Sequence, residues 1–319
     1  MSPSRQNTGE THRTLVVGHV THDRYPGGFK AGGCAYYGAE VHRRLPGHTH
    51  LLSVVGEDFE CDAALTDIEH TAVRRGQTTV FANYYPHDAP RVQLLEAIAP
   101  DVSPALCPPG WLDAELVHLA PVLGEVPLSD WLQALRSTGR QNLVAINIQG
   151  WIKVGGEPME DAAALESLHE RGVAPGALEV VQKPWEIDPD ALRGVDVACL
   201  SEEDLIDQGD LLDRLLRVVP TVALTLGTRG SRIFQKGRTI EVGIFPTEAV
   251  DPTGAGDVFA ATFTHHLMLG AEPADAARQA SAASSIVVEG LGPSTLHRLH
   301  EAPARAARIP TRTLHPMPA

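Results

Sequence analysis

Residues 251–263, with the sequence DPTGAGDVFAATF, combine small residues with a carboxylate at the start of a long apolar helix. The first N–H groups of a helix lack intrahelical partners and lie at the positive end of the helix dipole. The backbone of Gly254, Ala255 and Gly256 is therefore suited to hold an anion. Asp257, in the first turn, can accept a proton from a hydroxyl group, and phosphoryl transfer needs both functions together. On spacing alone, ordinary helix capping remains the commoner explanation of such a segment.

The elements that must position this segment follow a βα rhythm. Short apolar runs bounded by turn residues alternate with amphipathic helical patterns. This alternation predicts a mostly parallel sheet that is covered by helices on both faces. Two strands rich in β-branched and aromatic residues, near 78–98, are predicted to form a small hairpin outside that sheet. Strands are predicted at 14–18, 51–55, 78–85, 93–98, 116–119, 143–148, 180–181, 197–200, 221–225, 231–235 and 239–242, and helices at 35–44, 60–73, 128–137, 160–170, 204–218, 254–269 and 273–288.

The composition limits the expected partners. The 319-residue chain is 43% hydrophobic and has a formal net charge of −14, from 40 acidic and 26 basic residues. A surface this acidic repels phosphate backbones and anionic lipids, so neither nucleic acid nor a membrane surface is expected as a partner. The four cysteines lack metal or redox spacing, and the sequence has no apolar leader segment and no bilayer-spanning run. These features predict a cytoplasmic protein.

The pattern D-x-T-G-A-G-D-x-F at 251–259 resembles the C-terminal signature of the ribokinase family, also called PfkB carbohydrate kinases. Weaker motifs of that family follow in its order along the chain, at Gly32-Gly33, 55–58, 225–230 and 290–294. The resemblance spans roughly residues 14–300. It implies a ribokinase-like three-layer α/β/α sandwich with a mostly parallel sheet. It also implies an ATP-dependent kinase that phosphorylates a hydroxyl group of a small sugar or cyclitol.

The resemblance assigns a role to each matched position. Asp257 corresponds to the catalytic base, and Gly254, Ala255 and Gly256 to the anion hole. Mg²⁺-ATP is implied as the phosphoryl donor, and some members bind a monovalent cation such as K⁺. The implied substrate contacts are Asp23, Gly32 and Gly33, and the implied nucleotide contacts are Thr225, Gly227, Gly230 and Gly290. Asp251 and Thr253 correspond to the monovalent-cation positions. Arg229 lies within the same turn as Gly227 and is a candidate contact for the ATP phosphates, with no such contact as an equal alternative. Asp204 is the candidate for the acidic role at Mg²⁺.

Asn147 is a further candidate substrate contact, on different grounds. It ends a predicted strand, and ligands of open α/β sheets bind beyond the carboxyl ends of the strands. A simple turn position explains the residue equally well.

The chain departs from the ribokinase pattern in three places. The segment before Gly32 is shorter than the β-lid segment of ribokinases, so a reduced β lid is expected, with the 78–98 hairpin as its remnant. Tyr37 stands where an Asn often follows the Gly-Gly motif, and 201–204 replaces the family's N-x-x-E motif. These differences, with N-I-Q-G at 147–150, are more similar to the myo-inositol kinases of the family. The predicted units are a flexible arm at 1–12, a kinase domain at 13–301 and a flexible tail at 302–319.

Two alternatives stay open at this point: a nucleoside kinase of the same fold, and a non-catalytic ribokinase-like protein that binds a sugar or nucleotide. The altered segment at 201–204 favours the second, whereas an intact Asp257 argues against it. A reduced lid weakens the case for a lid-mediated dimer, so the chain is expected to be a monomer or a homodimer.

His265 and His266 are predicted on the helix surface. Lys153 is predicted in a solvated loop, with a phosphate contact as the alternative.

Overall fold

The computed structural model describes residues 12–84, 92–160 and 172–314. The strands in these ranges are β1 (Arg13–Val17), β2 (Thr21–Tyr25), β3 (Gly28–Gly32), β4 (His48–Val55), β5 (Glu69–Arg74), β6 (Val80–Tyr84), β7 (Val92–Ala97), β8 (Leu116–Leu119), β9 (Leu143–Asn147), β10 (Lys153–Pro158), β11 (Leu178–Gln182), β12 (Val197–Ser201), β13 (Thr221–Thr225), β14 (Ser231–Gln235), β15 (Arg238–Val242) and β16 (Thr311–Leu314). The α-helices are α1 (Cys34–His42), α2 (Leu128–Ser137), α3 (Gln149–Ile152), α4 (Leu211–Val218), α5 (Ala255–Met268), α6 (Pro273–Val287) and α7 (Ala302–Ala306).

The main sheet has the strand order β16-β15-β14-β13-β12-β9-β8-β1-β4-β5. From β13 to β5 all strand pairs are parallel, and β14, β15 and β16 extend the sheet in antiparallel fashion. Parallel strands are buried on both faces, which explains near-continuous apolar sequences such as LVHL in β8 and VACLS in β12. The predicted mostly parallel sheet is confirmed.

Helices cover both faces of this sheet. Neighbouring residues of a strand point to opposite faces, so Val117 of β8 packs with Trp131 of α2, whereas Leu116 belongs to the core with α1, α5 and α6. Small residues such as Ala261 and Ala280 allow α5 and α6 to pack closely. The three-layer α/β/α arrangement is therefore confirmed, with the N-terminus of α5 beside the strand ends. Among the described helices, none is long and apolar enough to cross a bilayer.

A second sheet has the order β10-β11-β7-β6-β2-β3 in the described part of the chain. Its pairs are antiparallel, except that β2 and β6 are parallel. The predicted hairpin at 78–98 is present as β6 and β7. The prediction of a β lid reduced to that hairpin is wrong, because the short segment before α1 folds as the β2–β3 hairpin and a later segment adds β10 and β11. Residues 180–181, predicted in the main sheet, belong to β11 of this second sheet.

Two predicted helices differ from the structure. Residues 60–73 form only a short 3₁₀ turn, Asp62–Leu65, before β5 begins. Within 204–218, α4 begins only at Leu211, because positive φ angles at Asp207 and Gly209 interrupt a helix there. The helix predicted at 160–170 lies, save for residue 160, outside the described residues, as does the part of the predicted hairpin at 85–91.

The C-terminal segment carries regular structure where the sequence predicted a flexible tail. This segment contains α7, and β16 pairs with β15 at the edge of the main sheet. Before it, Glu289 accepts hydrogen bonds from Arg298 at 2.7 Å and from Arg305 at 2.7 and 3.0 Å. Thr247, which lines the cavity described below, also donates to Glu289. The hydrogen bonds from Arg305, opposed by burial, lower the pKa of Glu289 to about 2. This cluster ties the C-terminal segment to the wall of the cavity.

We expect Glu289→Gln to lower the free energy of unfolding at pH 7 by about 1–2 kcal/mol, because the charge-assisted hydrogen bonds are lost. The folded-state pKa is depressed, so this stabilisation is present above the unfolded pKa and is lost as pH falls toward the folded value. Urea unfolding at pH 7 and pH 3 should therefore give a larger difference between the two proteins at pH 7. Glu248→Gln, at an exposed position, is the matched control. An equal difference at both pH values would contradict this account.

Candidate active site

A cavity of about 480 Å³ lies between the carboxyl ends of the central strands and the second sheet. Asn147, Ser201 and Thr225, at the ends of β9, β12 and β13, line one side. Phe81 and Gln93, from β6 and β7, line the other. The cavity therefore occupies the place where open α/β sheets bind their ligands.

Asp257 lies at one wall of this cavity, in the first turn of α5. Its Oδ1 accepts hydrogen bonds from Nδ2 of Asn147 at 3.3 Å and from Nε2 of Gln149 at 3.1 Å. Nζ of Lys153 donates to Oε1 of Gln149 at 3.1 Å, which places an ammonium group beside the same site. Cys34, at the start of α1, also forms a hydrogen bond with Asp257. Elements from three parts of the chain thus converge on one carboxylate.

The protonation of Asp257 is set by opposing effects. Burial raises its pKa above the ordinary aspartate value, and the nearby Asp204 adds to the rise. The hydrogen bonds from Cys34 and Asn147 and the charge of Lys153 oppose it. A carboxyl group with a raised pKa is a stronger base, and the surrounding donors favour its ionised form. This combination suits a group that must accept a proton near neutral pH.

The turn that leads into α5 depends on a close contact between Gly254 and Tyr37. Gly254 has φ 81°, in the left-handed region, and a Cβ on it would lie 2.5 Å from the Tyr37 ring. Only glycine fits this position, for both reasons. The N–H groups of Gly256 and Asp257, in the first turn of α5, have no acceptor within the helix by position. Gly256 is exposed to the cavity, so an anion can reach these donors.

Asp23 reaches the cavity from β2, and its position requires the neighbouring glycine of β3. The hydroxyl of Thr21 donates to Oδ1 of Asp23 at 2.8 Å. A Cβ on Gly32 would lie 2.1 Å from Oδ2 of the same carboxylate. Gly33, with φ 89°, lines the cavity and precedes α1. Gly32 therefore makes room for Asp23, while Gly33 turns the chain at the cavity wall.

The loop after β13 lines the part of the cavity that the sequence assigned to the nucleotide. Thr225, Gly227 and Gly230 are all part of this lining. Gly230 has φ 90°, and a Cβ there would lie 2.1 Å from a carbonyl oxygen of β15. Arg229 forms an exposed ion pair with Glu202 at the end of β12. Three of the four residues predicted in this loop therefore border the cavity, and the fourth side chain binds a neighbouring acid.

An apolar wall adjoins this loop, and the sequence analysis missed it. Ile244, Phe245, Ala249 and Val288 line the cavity there. The available signal was the run of apolar residues after β15, directly before the 251–263 segment. Gly290 lies two residues beyond Val288, where a Cβ would meet the side chain of Thr295 at 2.6 Å. Ligand pockets are commonly lined by apolar side chains of this kind, which can contact an apolar or aromatic part of a ligand.

The acidic residues after β12 are the candidate Mg²⁺ ligands. Oδ2 of Asp204 accepts hydrogen bonds from N and Oγ of Ser201, at 2.6 and 2.8 Å, and Asp204 lines the cavity. Across the described ranges, no cluster of three or more metal-ligating side chains is present. Mg²⁺ is commonly held by one or two carboxylates together with water and substrate phosphates. The donor set around Asp204 fits that mode of binding.

Asp251 connects three separate segments. Its Oδ1 accepts from the backbone N–H of Thr253 at 2.9 Å, and its Oδ2 accepts from the Gly292 N–H at 3.0 Å and the Tyr25 hydroxyl at 3.1 Å. Burial would raise the pKa of Asp251, but these hydrogen bonds outweigh it and lower the pKa. Asp251 therefore ties the β2–β3 hairpin to the start of the 251–263 segment. Thr253 lines the cavity.

Two predictions about basic residues are corrected by their surroundings. Lys153 begins β10 and lines the cavity, so it is not in a solvated loop. The available signal in the sequence was the spacing of four residues between Gln149 and Lys153, directly after a predicted strand. His265 is 1% exposed, so the prediction of a surface position is wrong. The sequence places it on α5 but does not reveal that α1 and β8 cover that side of the helix.

The model of the pfkB family carbohydrate kinases matches residues 190–298, a range that includes the loop after β13 and the 251–263 segment. Over that range the chain is similar to the PfkB carbohydrate kinases. It is a phosphotransferase that acts on a hydroxyl group.

Individual relatives differ in substrate and in donor. An inositol 3-kinase from Arabidopsis thaliana is 28% identical over 291 residues, which cover 88% of this chain and 75% of that protein. A nucleoside kinase from Methanothermobacter thermautotrophicus is 42% identical over 74 residues, or 23% of this chain and 24% of that protein. A solved pyrophosphate-dependent kinase in the ribokinase family, complexed with a pyrophosphate analog and myo-inositol, has a TM-score of 0.69 at 19% identity. That match covers 90% of this chain and 99% of the other, so the two share the ribokinase-like fold.

We expect Gly254→Ala to lower turnover at least about 10-fold and the free energy of unfolding by about 1–3 kcal/mol, because the added Cβ is strained and meets the Tyr37 ring. Gly256→Ala is the matched control, since nothing lies within 4 Å of its Cβ. In that helical position alanine should leave the free energy of unfolding unchanged or raise it by up to about 1 kcal/mol. Urea unfolding and steady-state kinetics measure both effects. Equal destabilisation by the two substitutions would contradict the contact with Tyr37.

Proposed function

We propose that this kinase transfers the γ-phosphoryl group of ATP to a hydroxyl group of a cyclitol of the myo-inositol type. The observation that carries the proposal is the position of Asp257, between the bare N–H groups at the start of α5 and a polar part of the cavity. That part is lined by Asp23, Asn83, Gln93 and Gln149. Carboxylate and amide side chains offer donors and acceptors in several directions, as a ring with many hydroxyl groups requires. The similarity to an inositol 3-kinase over most of the chain supports the same choice.

In the proposed reaction, Asp257 accepts the proton of the attacking hydroxyl group. Both amide donors bind its Oδ1, so the remaining lone pairs of the carboxylate can take that proton. The first-turn N–H groups of α5 bind the oxygens of the transferring phosphoryl group, and Lys153 adds a positive charge beside them. Asp23 orients the acceptor from the opposite side of the cavity. The second sheet excludes water, which would otherwise compete as the acceptor.

Ribokinase-family kinases use ATP and a divalent metal. We infer that Asp204 would hold Mg²⁺ here, where the ion neutralises phosphate charge. Ser201 fixes one oxygen of this carboxylate. A potassium site at Asp251 and Thr253 stays a prediction from the sequence. The carboxylate of Asp251 already accepts three hydrogen bonds from the chain, so we expect K⁺ to affect turnover only weakly.

The substrate class and the base are tested together by ATP consumption against cyclitols, pentoses, hexoses and nucleosides. We expect the highest kcat/KM with a cyclitol, and a loss of at least about 100-fold in Asp257→Asn, because the proton acceptor is removed. Asp196→Asn is the matched control, since this half-buried carboxyl binds the Val144 N–H at the opposite end of β9.

The outcomes separate the alternatives. A higher kcat/KM with a nucleoside would favour a nucleoside kinase, and ATP binding without turnover on any acceptor would favour the non-catalytic alternative. Turnover that survives in Asp257→Asn would show that another group is the base.

The donor is tested separately, because the solved relative named above depends on pyrophosphate. The apolar wall that includes Phe245 lines the same cavity as Asp257. ATP has an adenine ring that could contact this wall, whereas pyrophosphate has no apolar group. We expect ATP to support turnover, and Phe245→Ala to raise the KM for ATP about 10-fold, the usual effect of losing an aromatic contact. The KM for the acceptor in the same variant is the internal control, since a folding defect would change both KM values. A lower KM for pyrophosphate than for ATP in the wild type would contradict the assignment of the wall.

A further inference from the structure

Three buried imidazoles lie behind the candidate base. His42 of α1, His118 of β8 and His265 of α5 are each at most 1% exposed. Nδ1 of His265 lies 3.1 Å from Nδ1 of His42, and Nε2 of His42 lies 3.3 Å from Nδ1 of His118. Nε2 of His118 lies 3.0 Å from Oδ1 of Asn147, whose Nδ2 binds Asp257. The described structure thus contains a continuous row of hydrogen-bonding groups from the middle of α5 to its first turn.

The direction of each hydrogen bond in this row follows from the carboxylate at its end. An ionised carboxylate can only accept, so Asn147 must turn its NH₂ group toward Asp257 and its carbonyl oxygen toward His118. That oxygen can only accept as well. Nε2 of His118 must therefore carry a proton and donate it.

The same reasoning continues through the other two rings, provided that they are neutral. Burial lowers the pKa of all three histidines, to about 4 for His118 and His265 and well below 6.5 for His42. A neutral His118 with its proton on Nε2 presents a lone pair at Nδ1, so Nε2 of His42 donates to it. Nδ1 of His42 then accepts from Nδ1 of His265. Nε2 of His265 is then left unprotonated, and among the described residues this buried atom has no hydrogen-bond partner that meets the geometric criteria.

The second amide at the carboxylate is held in a comparable way. Lys153 can only donate, so the carbonyl oxygen of Gln149 must face it and the NH₂ group must face Asp257. The side chain of Gln149 is thus oriented by a cation at the cavity. The side chain of Asn147 is oriented by neutral rings within the core.

We propose that His118, supported by His42 and His265, is a positioning residue that fixes the amide of Asn147 with its N–H groups toward Asp257. This inference rests on the proposed role of Asp257 as the base. The row does not carry protons to the carboxylate, because the amide of Asn147 stands between the rings and Asp257 and neither gains nor loses a proton near neutral pH. Without His118 the amide can rotate and present its oxygen to the carboxylate. Asp257 would then lose a donor to its charged form.

The first test needs neither substrate nor substitution. The ¹⁵N chemical shifts of the imidazole nitrogens in the wild-type protein distinguish the two neutral tautomers of each histidine. We expect the proton on Nε2 of His118, on Nε2 of His42 and on Nδ1 of His265. A proton on Nδ1 of His118 would overturn the proposal. A proton on Nε2 of His265 would overturn it too, because two lone pairs would then face each other at His42. The interaction of the His265 ring with the backbone of Pro46 favours a proton on the ring and is the competing contact.

The second test measures the consequence for the base. We expect His118→Leu to lower kcat/KM about 10- to 100-fold, the usual range for a displaced catalytic group. The acidic limb of its pH profile should move to higher pH, because the loss of the Asn147 donor raises the pKa of Asp257 further. His118→Gln, whose side-chain amide can still donate to Asn147, should restore most of the activity and the position of the limb.

The pH profile can be interpreted because the charged and titratable groups near Asp257 are known. They are Cys34 and Tyr37 of α1, Lys153 of β10 and Asp204 after β12, and none of them is changed by the substitution. His50→Leu removes a buried imidazole that stacks on Trp111 near the start of β4, and it controls for general damage to the core. An acidic limb that stays in place in His118→Leu, or moves equally in His50→Leu, would overturn the proposal. Absence of kinase activity in the wild type would refute the proposed function but leave the tautomer test intact.

Discussion

The negative charge of Asp257 is the constraint on which the rest of the site depends. A carboxylate that is buried at the wall of a cavity loses hydration, and its pKa rises unless donors replace the lost water. The chain supplies those donors from α1, from the end of β9 and from α3, with Lys153 behind one amide and three histidines behind the other. The same carboxylate stands in the first turn of α5, where the helix dipole also favours negative charge. In the proposed mechanism, one helix start therefore supplies both the base and the anion site.

The two sheets contribute different parts of this arrangement. The parallel sheet fixes the backbone positions of Asn147 and Asp204, because both follow buried strands that cannot shift register without exposing apolar side chains. The second sheet brings Asp23 and the polar side chains of β6 and β7 to the opposite wall. The Tyr25 hydroxyl, on Asp251, joins this second sheet to the segment that carries the base. In the proposed mechanism, the contact between Tyr25 and Asp251 therefore helps to hold the second sheet at the cavity and to position the acceptor substrate.

Sequence patterns predicted the parts of the fold whose physics is local. Apolar runs predicted the parallel sheet, and the small residues before Asp257 predicted the start of α5. The second sheet was underestimated, because THDRY in β2 and KVGGEP in β10 are polar or glycine-rich and are stabilised by pairing with other strands. The environment of His265 could not be predicted either, since burial of one side of α5 by α1 and β8 is a tertiary contact. The sequence identified candidate residues at strand ends, such as Asn147. It did not identify the side chains that orient them, such as His118.

Direct titration of Asp257 tests the central claim, that the chain keeps a strongly basic carboxylate ionised at the cavity wall. The ¹³C carboxyl resonance that is missing from the spectrum of Asp257→Asn identifies the group in the wild-type protein without substrate. The account predicts a pKa above the ordinary aspartate value of about 3.9, with the group fully ionised at neutral pH. A pKa at or below the ordinary value would contradict the balance of burial and donors described here. A carboxyl group that is still protonated at pH 8 would contradict its role as the base.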